Sequence, residues 1–186
     1  YTGVVMSRRE SQARRERARR LGSGRISGGS RSGVGGYDNP GPDAEESAQC
    51  DLSDRRSLDE GGRGLMEMGH VPSFGTACYR EGRTGDRFMS LCKSGQILNC
   101  CHPNALLTLR EYLTDYASPA TRDAGESMIA RETLNVPSDR VRARLEENLA
   151  AITQGRRDFR LYGGGCICAF TRHRPQIAST SGCSCA

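Results

Sequence analysis

The sequence has no tryptophan, and aromatic residues fill only 5% of its 186 positions. Hydrophobic residues of all kinds reach 35%. So small an apolar share offsets the entropy of ordering only part of a chain, which predicts ordered helices in the middle and loose ends. No run approaches the about 18 apolar residues of a membrane span, so the reading excludes a membrane protein. No secretory signal precedes Met6, the first methionine. The chain opens at Tyr1 in mid-pattern, as a fragment of a longer product would. Lysine is nearly absent, and almost all of the 27 basic residues are arginine, against 22 acidic ones, for a net charge of +5. Such a surplus can steer an acidic partner or nucleic acid. No aromatic residues interleave with the arginines as a nucleic-acid platform requires, so solvated helix faces account for the charge better than an arginine-rich nucleic-acid binder does.

Cysteine, by contrast, is plentiful. Nine cysteines, an odd count, include the adjacent pair Cys100-Cys101. Without a signal segment that pattern argues against a secreted disulfide framework and for metal binding in a reducing compartment.

Along the chain, Thr2 to Ser7 reads as a short buried strand. Arg8 to Leu21 reads as an outer helix, polar on most faces, and Gly24 to Ser30 as a second strand running into a glycine-rich loop that ends at Tyr37. Strand, helix, strand is a βα repeat, the unit of parallel sheets and barrels. Asp38 to Ala48, rich in Pro, Gly, Asp and Glu, reads as a linker. Ser57 and Glu60 have capping-box spacing for a helix whose apolar side is Leu58, Leu65 and Met68, weakened by Gly61, Gly62 and Gly64. Pro103 starts a helix to Tyr116 with Leu106, Leu109 and Leu113 in register; Ser118-Pro119 and Pro137-Ser138 start two more. After Leu161 the glycine run and Cys166, Cys168, Cys183 and Cys185 show no apolar period, and the expectation is a disordered tail.

The chemistry concentrates in Pro72-Ser-Phe-Gly-Thr-Ala-Cys78, the Gly-Arg-Thr-Gly-Asp-Arg-Phe-Met run to Met89, and Cys101-His-Pro-Asn-Ala-Leu106. Closely spaced thiolates on a loop, with another at a helix start, are how proteins hold iron–sulfur clusters, and helix N-terminal amides favour a thiolate there. Of the two Cys-x-Cys pairs in the tail, zinc or copper binding is the functional reading, but their flanks lack supporting context.

These segments are similar to the C-terminal cluster-binding region of the HydG family, radical SAM tyrosine lyases that act in [FeFe]-hydrogenase maturation. The family carries a Cys-x2-Cys-x22-Cys motif. Cys78 matches its second cysteine and Cys101 its third, while the first falls on Gly75. Met6 to Glu10, Ile26 to Tyr37 and Arg55 to Glu60 also look like HydG elements, so that the likeness runs from about Tyr1 to Leu161. The two specific runs set it apart from the relatives ThiH and biotin synthase.

The resemblance implies an α/β fold: the last βα units of a radical SAM (β/α) barrel over residues 1–48, a helical appendage of the biotin and thiamin synthesis-associated type over 49–161, and the tail over 162–186. A complete barrel takes about 200 residues or more, so a piece of this size cannot close. The family uses S-adenosylmethionine on a first [4Fe–4S] cluster to cleave tyrosine to p-cresol and dehydroglycine. CO and cyanide from that fragment are assembled on an extra iron at a second, auxiliary [4Fe–4S] cluster, for which Cys78 and Cys101 are the implied ligands here. The Cys-x3-Cys-x2-Cys loop of the first cluster does not occur in this sequence, so this chain alone is not expected to cleave S-adenosylmethionine. Two thiolates leave the auxiliary cluster short of a ligand; Cys92 and Cys100 lie near enough in sequence to substitute. Ser30 and Arg31 fall on the loop that faces the tyrosine and S-adenosylmethionine cavity, and a bidentate Arg31–carboxylate pair would suit an amino acid. Gly33, Gly35 and Gly36 serve the turn or let the backbone approach a ligand. His102 is expected to face solvent. Tyrosine and other hydrogenase maturation proteins are the implied partners. The alternative is a non-catalytic iron–sulfur or partner-docking module.

Overall fold

A computed structural model of the chain describes residues 4–33, 37, 50, 52–74, 85–157 and 159. They fall into two compact units that divide between Gly64 and Leu65. The linker after Tyr37, Gly75, Cys78 and the cysteines of the tail lie outside the described residues.

In the first unit, β1 (Val5–Met6) and β2 (Arg25–Ile26) pair in parallel, Val5 opposite Arg25 and Met6 opposite Ile26, joined by α1 (Gln12–Arg20). This is the βα repeat expected from the pattern, with shorter strands. The buried first strand is not found: Val4 and Val5 are 52% and 59% exposed, because nothing among the described residues covers their side of the two-stranded sheet. α1 is polar, as read, and its last turn carries Arg17, Arg19 and Arg20, which suit the negative end of the helix dipole.

Among the described residues of this unit, charged groups are buried and large apolar ones are not. Arg8, Arg15 and Asp54 are all more than nine-tenths buried. Arg15 pairs with the Asp54 carboxylate, and Arg56 adds a fork, Nε to Oδ1 at 3.0 Å and Nη2 to Oδ2 at 2.8 Å. Arg8 donates from all three guanidinium nitrogens to backbone carbonyls: Asp54 at 2.8 Å, Arg56 at 2.9 Å, and Ser30. Hydrogen bonds from Arg56, backed by the charge of Arg15, hold the Asp54 carboxyl down at about 2 against the cost of burial.

The helix α2 (Leu58–Glu67) begins with the expected capping box. Ser57 N–H donates to the Glu60 carboxylate at 2.8 Å, and Ser57 Oγ accepts from Glu60 N–H at 3.2 Å. Its apolar side differs from the one read in the sequence: Met66 is the core residue, while Leu58 is 47% exposed. Leu58 instead closes over Gly28 and Gly29. A Cβ at Gly28 would sit 3.0 Å from Leu58 Cδ1, and Gly29, at φ +66°, would meet the Leu58 backbone at 3.3 Å. A side chain at Gly29 is disfavoured by both conformation and space.

The second unit is helical: α3 (Gly85–Lys93), a short 3-10 helix (Gln96–Asn99), α4 (Cys101–Asp115), α5 (Pro119–Leu134) and α6 (Asp139–Thr153). The last three match the helices that the sequence marks by Pro103, Ser118-Pro119 and Pro137-Ser138. Ser118 Oγ accepts from Thr121 N–H at 3.4 Å and Ser138 Oγ from Val141 N–H at 3.5 Å, as N-caps do. Leu106, Leu109 and Leu113 of α4 pack with Met128 and Ile129 of α5 and with Leu145 and Ile152 of α6. The closest approach is at Gly125, where a Cβ would lie 2.3 Å from Leu113 Cδ1. The described part of the chain is therefore mostly helical, with one small parallel sheet.

Candidate functional site

The sequence-derived site residues fall at two places, one in each unit. In the first, Ser30 is half-buried and its carbonyl is one of the three that Arg8 holds. Arg31 is exposed; its backbone N–H donates to the Tyr37 hydroxyl at 3.1 Å, and Ser32 Oγ donates to the Cys50 carbonyl at 2.9 Å. The loop is thus held at three successive residues, by backbone at Ser30 and Arg31 and by side chain at Ser32, while Arg31 is exposed. Such a cation suits a carboxylate. Arg8 is the residue that sequence reasoning missed. It stands in an arginine-rich stretch whose pattern reads as a polar surface, and only the positions of Ser30, Asp54 and Arg56 reveal the clamp.

The second place is the start of α4. Cys101 is its first residue and is half-buried; Cys100 precedes it at φ −133°, ψ −68°, outside the helical range, and is 1% exposed. That backbone turns the Cys100 thiol inward, where Sγ donates to the Gln96 carbonyl at 3.2 Å and lies 3.7 Å from Cys101 Sγ. Leu91 and Ile97 complete the pocket. Cys92, on α3, is half-buried; burial pushes its thiol up, and the negative charge that Cys101 can carry adds to the rise. Cys101 and the two cysteines named as substitutes for the ligand missing at Gly75 therefore share one corner. Among the described residues, however, no three His, Cys, Asp or Glu side chains are arranged to hold a metal ion, and Cys78 lies outside them.

His102 does not face solvent. It turns onto α5, with Nε2 3.3 Å from the Glu132 carbonyl and 3.6 Å from the Glu132 carboxylate. The apolar surroundings of α4 favour this, since a helix-start side chain that packs inward must find a polar partner. Among the described residues no helix is long and apolar enough to cross a membrane.

Comparison with known proteins places the chain. A crystal structure of HydG, described as a maturase of the [FeFe]-hydrogenase, superposes with a TM-score of 0.74 and 46% identity over 87% of this chain. The FeFe-hydrogenase maturase HydG from Carboxydothermus hydrogenoformans superposes with a TM-score of 0.57 and 32% identity over 80% of it. No family model and no curated protein matches. Both solved structures belong to one class of protein, the maturases of [FeFe]-hydrogenase. Within that class the chain belongs to the HydG family. It spans about a third of the length of the solved chains, 34% of one and 30% of the other.

Proposed function

We propose that this chain is the part of a HydG-type radical SAM tyrosine lyase that carries the auxiliary iron–sulfur site and one wall of the substrate cavity. The observation that supports this is the 46% identity to HydG over 87% of the chain, which spans both candidate places. On this reading residues 1–48 are barrel units and 49–161 the cluster-bearing appendage. The whole enzyme, with S-adenosylmethionine, cleaves tyrosine and supplies CO and cyanide to hydrogenase maturation, alongside the other maturation proteins.

Soft thiolates are the donors that hold iron–sulfur clusters, and a half-buried thiol at a helix start, with a second one 3.7 Å away, fits that chemistry. Cys101 is one ligand of the auxiliary site and Cys78 another. When bound, a [4Fe–4S] cluster with an open iron supplies a place for small ligands to attach. Arg31 pairs with the substrate carboxylate, and Arg8, by holding the Ser30 carbonyl, keeps the Arg31 backbone where that pair can form.

Anaerobic reconstitution with ferrous iron and sulfide tests the cluster assignment. Cys78→Ala and Cys101→Ala should each lower bound iron to less than half of the wild-type amount. Equal iron in all three proteins would overturn it. For Arg31, the corresponding alanine substitution in a full-length relative should raise the KM for tyrosine at least tenfold; an unchanged KM would remove Arg31 from the site.

A further inference from the structure

We propose that Cys100 and Cys101 form a redox modification site that closes to a vicinal disulfide when a small-molecule disulfide oxidises it. The two sulfurs stand 3.7 Å apart, so closure to a bond of about 2.05 Å requires a shift of roughly 1.6 Å, made by rotating both side chains and twisting the peptide between them. The backbone already departs from the helix at Cys100, which brings its sulfur alongside that of its neighbour.

Burial divides the roles. Cys101 is half-buried, and an oxidant can meet it, whereas Cys100 is 1% exposed and its sulfur is 3.7 Å from that of Cys101. In the first step Cys101 loses its proton to solvent and its sulfur attacks one sulfur of oxidised glutathione, releasing one glutathione thiolate. In the second, Cys100 gives up its proton, attacks Cys101 Sγ, and expels the other glutathione thiolate. Two protein thiols are oxidised by two electrons, and one small disulfide is reduced to two thiols. Adjacent Cα atoms are about 3.8 Å apart, less than a relaxed disulfide prefers, so the bond is strained and easily reduced again. Resting on the cluster assignment above, closure has a consequence: Cys101 sulfur in a disulfide is no longer a thiolate donor for iron.

The chain reports on this pair cleanly. Cleavage after Arg87, Lys93 and Arg110 puts Cys92 on one peptide and both Cys100 and Cys101 on the next. The protein, handled anaerobically, is treated with oxidised glutathione, alkylated, digested and read by mass spectrometry. The expected product is the peptide 94–110 lacking two hydrogens and carrying no alkyl group, restored by dithiothreitol. Cys100→Ser should stop the reaction at a glutathione adduct on Cys101, and Cys92→Ala should leave closure unchanged. In Cys101→Ala, Cys100 should stay unmodified. A disulfide that joins peptide 94–110 to the Cys92 peptide, a glutathione adduct that persists in the wild type, or alkylation of both thiols after oxidation would each overturn the proposal. Iron loading of the reduced protein is measured in parallel. Closure without iron uptake sinks the cluster assignment alone; iron uptake without closure sinks this site alone.

Discussion

Asp54 is where one side chain decides the most. It has one carboxylate for two guanidinium groups, and it sits beside a third that binds its backbone. Because its folded pKa of about 2 lies below the ordinary value of 3.8, it stabilises the fold fully above about pH 4. That contribution, about 2 kcal/mol, is lost progressively as pH falls toward 2. Asp54→Asn leaves Arg15 buried without its anion and should cost about 3–5 kcal/mol. Urea unfolding of wild type and variant at pH 7 and pH 3 checks both statements: the gap between them should narrow at the lower pH. On the proposed cluster assignment, Gly75 is the other residue that matters by itself, at the position of the motif's first cysteine. Gly75→Cys restores the family's three-cysteine motif and should raise iron retained after gel filtration about twofold over the unsubstituted chain. Equal retention would mean that ligand number is not what limits the site.

At the scale of elements, the three long helices were readable because each carries two agreeing signals, a Ser or Pro start and apolar residues that follow it: leucines at helical spacing in α4, Met128 and Ile129 in α5, and Val141, Leu145, Leu149 and Ile152 in α6. The capping box at Ser57 was readable for the same reason, since both of its partners lie within one turn. The strands were read too long. Glycines and serines around Ile26 leave only two residues to pair, and no local pattern announces that. Arg8 and His102 were misread in kind, because their partners lie 22 to 48 and 30 residues away and sequence periodicity carries no such information. At the cysteine corner the sequence showed that Cys92 and Cys100 lie near Cys101 along the chain, while the inward turn of the Cys100 thiol and its 3.7 Å approach to Cys101 Sγ come from the fold. Gly125 shows its part only in the fold. It looks like a helix weakener, yet it lets α4 and α5 meet at Leu113. Gly125→Ala should therefore gain nothing from helix propensity and lose about 1–3 kcal/mol to overpacking, seen as a lower midpoint in thermal unfolding followed by circular dichroism.

For the molecule as a whole, the two units are stabilised by different physics. The first has a buried ionic clamp and little apolar core; the second has a leucine-rich core of three helices. Salt and acid should act mainly on the first, and large-to-small core changes mainly on the second. One further bond lies within the second unit. Asn99, just before the cysteine pair, accepts at Oδ1 from the Ser138 backbone N–H at 3.1 Å, so a change at residues 100 and 101 should be felt at the start of α6, far away in sequence. That amide is a spectroscopic probe supplied by the protein itself. Its nuclear resonance should move, and its deuterium exchange quicken severalfold, when the two sulfurs join; a signal identical in both redox forms would show that the pair closes without disturbing its neighbours.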